Sequence, residues 1–381
     1  MSKLAASRGA QQPLNANQFL EQQYRGKSAY LLGGAGQVGG YLRELLERSG
    51  AKATVVDRKP LYDPLHNLEQ DFISDADNLR SWLRADMPDY VFNLAAKVTG
   101  VTYNESHHFE MALENALLQA IPLWACRGLK TRFTQFSTVC VLPRNAAVPS
   151  KEWLVQELDS LGGPEPTNFG YGLAKRWGEH LCNLAMTDAP DLKPLIVRPS
   201  NLYGREDPRD LNGHVIPRLV WRLMNREDPL SIRGLSTTRR TFMHARDCAE
   251  AVAILAATDY VGTVNVGTHD EVSIVELLNI LCEIERWSPG MIVWGYASEQ
   301  GYERRAPDLS LFNSILSGRG VTWSPPTSLR DGLEEYVRWA HSLPMEIFSQ
   351  AGAQEISLPP QGSIRSGFWQ EPTESLEKPK S

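Results

Sequence analysis

The sequence lacks the features that define several classes of protein. Its 381 residues contain no apolar run near the ~18 residues that a membrane-spanning helix needs. Its five cysteines form no C-x-x-C pair and are odd in number, which argues against a disulfide framework or a zinc site. The formal net charge is only −6, so no general nucleic-acid surface is expected. Hydrophobic residues make up 42% of the chain, enough for one large or two ordinary domains.

A glycine-rich turn lies between a strand-like stretch and a helical pattern. The apolar residues 29–32 precede Gly33, Gly36 and Gly39. In a dinucleotide-binding turn the first glycine permits the tight bend, the second lets backbone approach a pyrophosphate, and the third lets helix pack on strand. A second strand ends in Asp57, where an acidic side chain can bind a ribose 2′-hydroxyl. This order predicts a site for a nicotinamide dinucleotide.

The choice between NAD and NADP depends on two adjacent residues. The carboxylate of Asp57 repels a 2′-phosphate and favours NAD, whereas the guanidinium of Arg58 can attract one. We therefore predict NAD as the cofactor, with NADP as the alternative.

Tyr171 and Lys175 form a Tyr-x-x-x-Lys unit, which places two side chains one helical turn apart on one face. A lysine ammonium beside a phenol is expected to lower its pKa from about 10 towards neutrality. Tyr171 would then pass a proton to or from a sugar or alcohol oxygen while hydride moves. Both residues are predicted to be catalytic and to contact the cofactor.

Strand and helix patterns alternate from residue 28 onwards, which predicts an α/β fold with a parallel sheet covered on both faces. We expect a dinucleotide-binding domain at 28–200 and a smaller mixed α/β substrate-binding lobe at 201–344, with the chain crossing between them. Residues 1–27 are expected to be a flexible or loosely packed extension, and residues 345–381 a flexible tail. The first 27 residues are polar, without a signal-peptide core, so a cytoplasmic enzyme is expected.

With these motifs the chain resembles the extended short-chain dehydrogenases/reductases, and among them the nucleotide-sugar epimerases and reductases. The resemblance extends over roughly residues 28–340. Further matching segments are Asn93 to Ala96, Arg198 to Gly204, Arg240 to His244 with Asp247, and Arg305 with Asp308. The resemblance implies a Rossmann-type, doubly wound fold and a homodimer formed by helices within 111–126 and 172–186. It also implies cofactor contacts from Gly33, Gly36, Gln37, Val38, Gly39, Asp57, Arg58, Asp71, Leu94, Ala95, Ala96, Tyr171 and Lys175.

A narrower resemblance is to the GDP-fucose synthase group, in which one site epimerises two carbons and then reduces the C4 ketone. The segments that carry it are Ala95 to Gly100 with Asn104 and Asn115, Phe136 to Pro143, Pro166 to Asn168, and Asn212 to Pro217. It implies that Thr138 hydrogen-bonds the reacting oxygen and that Cys140 and His214 are the acid/base pair. It implies a GDP-linked keto-hexose as the substrate. The residues expected to contact that substrate are Lys97, Asn201, Arg218, Arg240 and Arg305.

Three alternatives stay open. Asp57 is not what an NADPH reductase is expected to carry, which favours a redox-neutral 3,5-epimerase, although His214 stands where that enzyme would have lysine. A plain 4-epimerase would leave Cys140 inert. A non-catalytic dinucleotide sensor on the same fold is the alternative of another class. Because sensors often lose the catalytic tyrosine or lysine, the presence of both residues favours an enzyme.

Overall fold

The computed structural model describes residues 14–58, 67–69, 71–143, 146, 148–189, 191–205, 213–295 and 302–343. The expected flexible tail at 345–381 and the first 13 residues of the N-terminal extension lie outside the described residues.

The strands, in chain order, are β1 (Leu14–Asn15), β2 (Ser28–Leu32), β3 (Lys52–Asp57), β4 (Asn67–Glu69), β5 (Tyr90–Asn93), β6 (Arg132–Phe136), β7 (Leu195–Pro199), β8 (Asn201–Tyr203), β9 (Leu230–Ile232), β10 (Arg239–His244), β11 (Gly262–Val266), β12 (Glu271–Ser273), β13 (Ile292–Trp294), β14 (Arg304–Arg305) and β15 (Val321–Thr322). The helices are α1 (Ala16–Tyr24), α2 (Gln37–Arg48), α3 (Ala76–Asp86), α4 (Val101–Ser106), α5 (His108–Ala125), α6 (Val155–Leu161), α7 (Phe169–Asp188), α8 (Val215–Met224), α9 (Ala245–Ala256), α10 (Ile274–Glu285), α11 (Ser310–Gly318) and α12 (Leu329–His341). Single 3₁₀ turns lie at Val139–Val141 and Pro166–Asn168.

Seven parallel strands form the large sheet in the order β11-β7-β6-β5-β2-β3-β4. Alternate residues of β2 enter different cores, as expected for a strand that is covered on both faces. Leu31 packs with apolar residues of α2 and α9, whereas Tyr30 and Leu32 pack with those of α3, α5 and α7. The predicted α/β fold with a doubly wound parallel sheet is confirmed.

The second lobe has its own core and its own small sheets. Strands β12, β10 and β14 pair in that order, β8 also pairs with β10, and β9 pairs with β13. Leu219 of α8, Leu277 of α10 and Leu333 of α12 are buried together beneath them. Between these elements, α9 and β11 return to the large sheet. The assignment of cofactor to 28–200 and substrate to 201–344 stays a prediction.

The expectation that residues 1–27 are loosely packed is wrong for the described part, residues 14–27. β1 pairs in parallel with β15, and α1 packs on the outer helical layer. Phe19, Leu20 and Tyr24 are buried, and the Tyr24 hydroxyl donates a hydrogen bond of 2.8 Å to the Ala253 carbonyl. Their spacing follows one face of a helix, a pattern that the many surrounding Gln and Asn residues obscure.

Replacing Leu20 by Ala is expected to lower the free energy of unfolding by about 2–5 kcal/mol, because the side chain is fully buried and the site cannot collapse completely. Chemical denaturation of the whole protein measures this change. Gln22→Ala, at an exposed position of the same helix, should leave stability within about 0.5 kcal/mol. Equal unfolding midpoints for the Leu20→Ala protein and the wild type would show that α1 contributes little to the fold.

Candidate active site

One cleft of about 820 Å³ contains every residue that the sequence analysis assigned to catalysis, cofactor or substrate. It lies at the carboxyl ends of the parallel strands, where open α/β sheets bind their ligands, and the second lobe forms its far wall. The structure therefore brings together side chains from the glycine turn at one end of the chain and from β14 near the other.

The glycine turn has the shape that a pyrophosphate requires. Gly33 has a φ of +77°, and a Cβ there would lie 2.6 Å from the Ala95 Cα atom. A Cβ on Gly39 would lie 2.3 Å from the Gly34 carbonyl oxygen, so α2 packs directly against the turn. A Cβ on Gly36 would meet only the Gly33 carbonyl, at 3.4 Å. The turn therefore leaves space for a ligand at the N-terminus of α2.

The acidic residue at the end of β3 also stabilises this turn. Asp57 Oδ2 accepts a hydrogen bond of 2.9 Å from the Ala35 backbone N–H, while the side chain lines the cleft. Arg58 is exposed and lines the same region, as does Asp71, whose Oδ1 accepts a hydrogen bond from the Ile73 N–H. Both charges that bear on NAD or NADP selection therefore face the same part of the cleft.

Tyr171 and Lys175 lie on the buried face of α7. Lys175 Nζ is 5.8 Å from the centre of the Tyr171 ring and donates hydrogen bonds to the Phe136 carbonyl at 2.7 Å and to Gln119 Oε1 at 3.3 Å. The expectation of a lowered phenol pKa is wrong. Burial, reinforced by Cys140, raises the pKa of Tyr171 above its ordinary value and outweighs the hydrogen bond with Thr138.

The lysine does not counteract this rise in the pKa of Tyr171. Burial lowers the pKa of Lys175 to about 7, although Glu179 one turn away partly opposes the shift. A lysine that loses its charge near neutrality is a weak electrostatic partner for a phenolate. Tyr171 therefore keeps its proton at neutral pH in this structure, which suits a group that donates a proton to a developing alkoxide.

Thr138 and Cys140 lie on the loop that follows β6. The Thr138 Oγ1 atom accepts a hydrogen bond of 3.2 Å from the Cys140 N–H and so caps the 3₁₀ turn that holds the cysteine. Cys140 is partly exposed to the cleft, whereas the other four cysteines are buried. Burial of the sulfur atom and the nearby Glu165 raise the pKa of the Cys140 thiol to about 11, although Arg305 opposes them.

Glu165 is a cleft residue that the sequence analysis missed. It is buried and forms an ion pair with Arg305, which the sequence analysis had assigned to substrate binding. The sequence did contain one signal, because Glu165 directly precedes the segment 166–168 that carries the resemblance. An acidic side chain there has no chemical meaning until the fold brings Arg305 beside it.

The predicted substrate residues occupy the wall that the second lobe contributes. Asn201 Nδ2 donates to the Thr241 carbonyl at 2.9 Å, and Arg240 donates to the carbonyls of Arg239 and Tyr302. Arg218 lines the cleft beside Arg222, another residue that the sequence analysis did not single out.

The remaining two predicted residues lie at different parts of the same cleft. His214 lines it at the residue preceding α8. Lys97 ion-pairs with Glu110 and with Glu114, the latter at 2.7 Å, so two carboxylates compensate its charge. The role of Lys97 in substrate binding stays a prediction.

Comparison with known proteins gives one family match and many relatives. The description "NAD dependent epimerase/dehydratase family" matches residues 29–267. The GDP-L-fucose synthase of Sinorhizobium fredii is 29% identical over 319 residues, covering 81% of this chain and 93% of the relative. GDP-L-fucose synthase 1 of Arabidopsis thaliana is 29% identical and covers 71% and 82%. The GDP-L-colitose synthase of Yersinia pseudotuberculosis is 25% identical and covers 69% and 84%.

Solved structures of two epimerases and a reductase share the fold. An epimerase from Methanothermobacter thermautotrophicus superposes with a TM-score of 0.75 at 21% identity, covering 88% of this chain and 98% of that one. The UDP-glucose 4-epimerase of Thermotoga maritima gives 0.70 at 23% identity, covering 83% and 99%. A GDP-mannoheptose C4 reductase from Campylobacter jejuni, solved with NADP bound, gives 0.67 at 20% identity, covering 83% and 98%.

Proposed function

The chain belongs to the NAD dependent epimerase/dehydratase family, and from this premise we propose that it is a GDP-sugar epimerase/reductase. Its substrate would be a GDP-linked 4-keto hexose, epimerised beside the ketone and reduced at C4. The observation that carries the proposal is the presence of Thr138, Cys140, Tyr171, Lys175 and His214 in one cleft. The relatives named GDP-L-fucose synthase and GDP-L-colitose synthase supply the nucleotide and the sugar class.

The Rossmann half of the cleft fits a nicotinamide dinucleotide. The space in front of Gly36 would take the pyrophosphate, and Asp57 at the end of β3 would face the ribose. When bound, the cofactor supplies the hydride for C4. In its protonated form Lys175 has one N–H left beyond its two hydrogen bonds, and this N–H would hold a ribose hydroxyl. Tyr171 would donate the proton to the C4 oxygen, and Thr138 would hydrogen-bond the same oxygen.

Cys140 and His214 are the candidates for epimerisation. Inverting a carbon beside a ketone requires removal of a proton from one face and delivery to the other. A thiol and an imidazole can serve in this way, one as the acid and the other as the base. They come from separate elements, the loop after β6 and the residue before α8, and both line the cleft.

Cationic side chains of the second lobe would bind the diphosphate. Arg218, Arg240 and Arg305 all line the cleft, and a guanidinium binds phosphate oxygens through two parallel hydrogen bonds. Burial beside Arg305 lowers the pKa of Arg240 to about 10, which still leaves it charged at neutral pH. Arg240 can therefore attract a diphosphate, while Arg305 already pairs with Glu165.

The experiment that tests this function uses several nucleotide sugars in deuterated water with NADH, with NADPH and with neither. Deuterium at carbons flanking C4 together with consumption of reduced cofactor supports the epimerase/reductase. Exchange without net consumption would identify the redox-neutral 3,5-epimerase, which Asp57 favours. Inversion at C4 alone would identify a 4-epimerase. Dinucleotide binding without turnover of any sugar would identify a non-catalytic dinucleotide sensor. We keep NAD as the proposed cofactor because Asp57 faces the cleft, with NADP as the alternative.

Helices α5 and α7 carry an apolar surface that suits a homodimer. They pack against each other, and their outer faces expose large apolar side chains, with Phe109 81% and Leu184 60% exposed. The other exposed members are Leu113, Leu117, Trp124, Leu173 and Trp177. Leu118, on the same helix as Leu113 and Leu117, instead packs against the core. We propose that two copies of the chain cover this surface.

No helix among the described residues is long and apolar enough to cross a membrane, and the cytoplasmic location stays a prediction.

Leu113→Asp is expected to convert the dimer to a monomer at micromolar concentration, because it places a charge in the middle of the apolar surface. Light scattering measures the molar mass directly. Met291→Asp replaces an apolar residue of the second lobe that is at least as exposed as Leu113, and should leave the mass unchanged. A wild-type protein that is monomeric under these conditions would contradict the dimer.

A further inference from the structure

A buried carboxylate–guanidinium pair lies beside the thiol of Cys140. Glu165 and Arg305 are both buried and form an ion pair, and Arg305 Nη1 lies 3.7 Å from Cys140 Sγ. Glu165 also contacts the cysteine through the backbone, since its N–H donates a hydrogen bond of 3.2 Å to the Cys140 carbonyl. The other carboxylate oxygen accepts a hydrogen bond of 2.8 Å from Asn168 Nδ2. Glu165 is therefore fixed on both of its oxygens.

The surroundings keep Glu165 charged. Burial alone would raise the pKa of its carboxyl, but Arg305, Asn168 and Arg240 lower it below the ordinary value. The carboxylate thus compensates the buried Arg305 and the partly buried Arg240 beside the cysteine. The charged and titratable groups around Cys140 are Glu165, Arg305, Arg240, Tyr171 and Tyr302.

The loop of Cys140 has little freedom to move away from this pair. A Cβ on Gly172 would lie 2.7 Å from the Cys140 carbonyl oxygen, so α7 presses closely on the loop. The Tyr302 hydroxyl donates a hydrogen bond of 2.7 Å to the Leu142 carbonyl, two residues further along. The distance between the sulfur atom and the ion pair is therefore set by packing on both sides.

We propose that Glu165 is a positioning residue for Cys140: paired with Arg305, it places the guanidinium beside the sulfur atom and sets the pH at which the thiol gives up its proton. Glu165 disfavours the thiolate through its negative charge, and Arg305 stabilises it. The two residues therefore act on the same proton in opposite directions. The part that Glu165 plays in the reaction rests on the proposed epimerase function.

In that reaction the cysteine exchanges one proton with the carbon beside the ketone. When the thiolate removes the proton, an S–H bond forms, the C–H bond breaks, and its electron pair passes into the enolate. In the reverse step the S–H bond breaks, the carbon regains a proton, and the thiolate is left facing Arg305. The guanidinium is thus placed where negative charge on sulfur appears and disappears.

The first test is the pH dependence of Cys140 alkylation by iodoacetamide in the whole protein, followed by peptide mass spectrometry. The thiolate is the reacting form, so the rate follows ionisation. With a thiol pKa of about 11, the wild-type rate should rise about tenfold per pH unit between pH 7 and 10 without levelling. Removing a neighbouring charge typically shifts a pKa by 1–3 units, so the Glu165→Gln rate should level off at or below about pH 10.

Two further variants keep the test decisive even if one of the three variants fails to fold. Arg305→Gln should react about tenfold more slowly than wild type across the same range, because the thiolate loses its counterion. Glu114→Gln removes a carboxylate that lines the same cleft but pairs with Lys97, and should reproduce the wild-type profile. A Glu165→Gln profile parallel to wild type, or an unchanged rate for Arg305→Gln, would overturn the proposal.

The second test separates this proposal from the proposed function. Deuterium exchange into the 4-keto sugar by Glu165→Gln should reach its maximal rate at lower pH than in the wild type, in step with alkylation. Alkylation requires no substrate. A shifted alkylation profile in a protein that exchanges no deuterium, even as wild type, would reject the epimerase while leaving the role of Glu165 supported. An unshifted alkylation profile in an active epimerase would reject Glu165 alone.

Discussion

Tyr171→Phe is expected to slow hydride transfer at C4 by at least roughly 100-fold, while deuterium exchange into a pre-oxidised 4-keto substrate continues. General acid–base groups contribute about 10²–10⁴-fold, and the phenol hydroxyl is the group that would donate to the C4 oxygen. The substitution removes one oxygen and keeps the partly buried ring on α7, so the cleft should keep its shape. Stopped-flow oxidation of reduced cofactor measures the hydride step, and mass spectrometry of the sugar measures exchange.

Cys140→Ser and His214→Gln should give the opposite result. Each is expected to lose at least roughly 100-fold in deuterium exchange, because one of the two proton-transfer groups is missing. Each variant should still reduce an already epimerised ketone by hydride transfer, since Thr138, Tyr171 and Lys175 are intact. The two chemistries are therefore separable by mutation within one cleft.

Three outcomes distinguish the alternatives. Wild-type exchange rates in both Cys140→Ser and His214→Gln would remove the epimerase assignment and leave a reductase or 4-epimerase that uses Thr138, Tyr171 and Lys175. Loss of both activities in Tyr171→Phe would mean that the phenol takes part in proton transfer to carbon as well. Unchanged hydride transfer in Tyr171→Phe would assign the proton at C4 to another group, for which Thr138, the hydrogen-bond partner of Tyr171, is a candidate.

The features of the cleft whose local geometry could be anticipated from the sequence are those encoded by short segments. The glycine turn, Asp57 and the Tyr171–Lys175 pair each depend on residues within one strand–turn–helix or one helical turn. Local geometry then fixes their relation: β2, the turn and α2 place the three glycines, and α7 places the pair on one face. Such patterns can be recognised without knowledge of the tertiary fold.

The parts that the sequence did not predict depend on residues that are distant in the chain. Cys140 and Arg305 are 165 positions apart, and their contact exists only because β14 pairs with β10 beside the loop after β6. The pKa of Tyr171 is raised, although the sequence led us to expect a lowered one, for a related reason. A spacing of four residues gives proximity to Lys175, but the burial that discharges the lysine and disfavours the phenolate is a property of the folded cleft.

Gly36→Ala is expected to weaken dinucleotide binding by roughly 10- to 100-fold without unfolding the protein. The backbone at Gly36 has a φ of −84°, which alanine adopts without strain, and its Cβ would meet only the Gly33 carbonyl, at 3.4 Å. The methyl group would instead occupy the space proposed for the pyrophosphate. Losing one hydrogen bond to a charged group costs about 1.5–3 kcal/mol, which corresponds to this change in affinity.

Gly40→Ala provides a matched control for calorimetric titration with NAD and NADP. Gly40 lies in α2, one turn after Gly36, and a Cβ there has no neighbour within 4 Å. Alanine in place of this helical glycine should stabilise the protein by about 1 kcal/mol and leave cofactor affinity unchanged. If Gly36→Ala and Gly40→Ala bind the dinucleotide equally well, the pyrophosphate does not sit against the turn. The space in front of Gly36 would then require another ligand, and Asp57 would serve the turn through its hydrogen bond to Ala35 without facing a ribose.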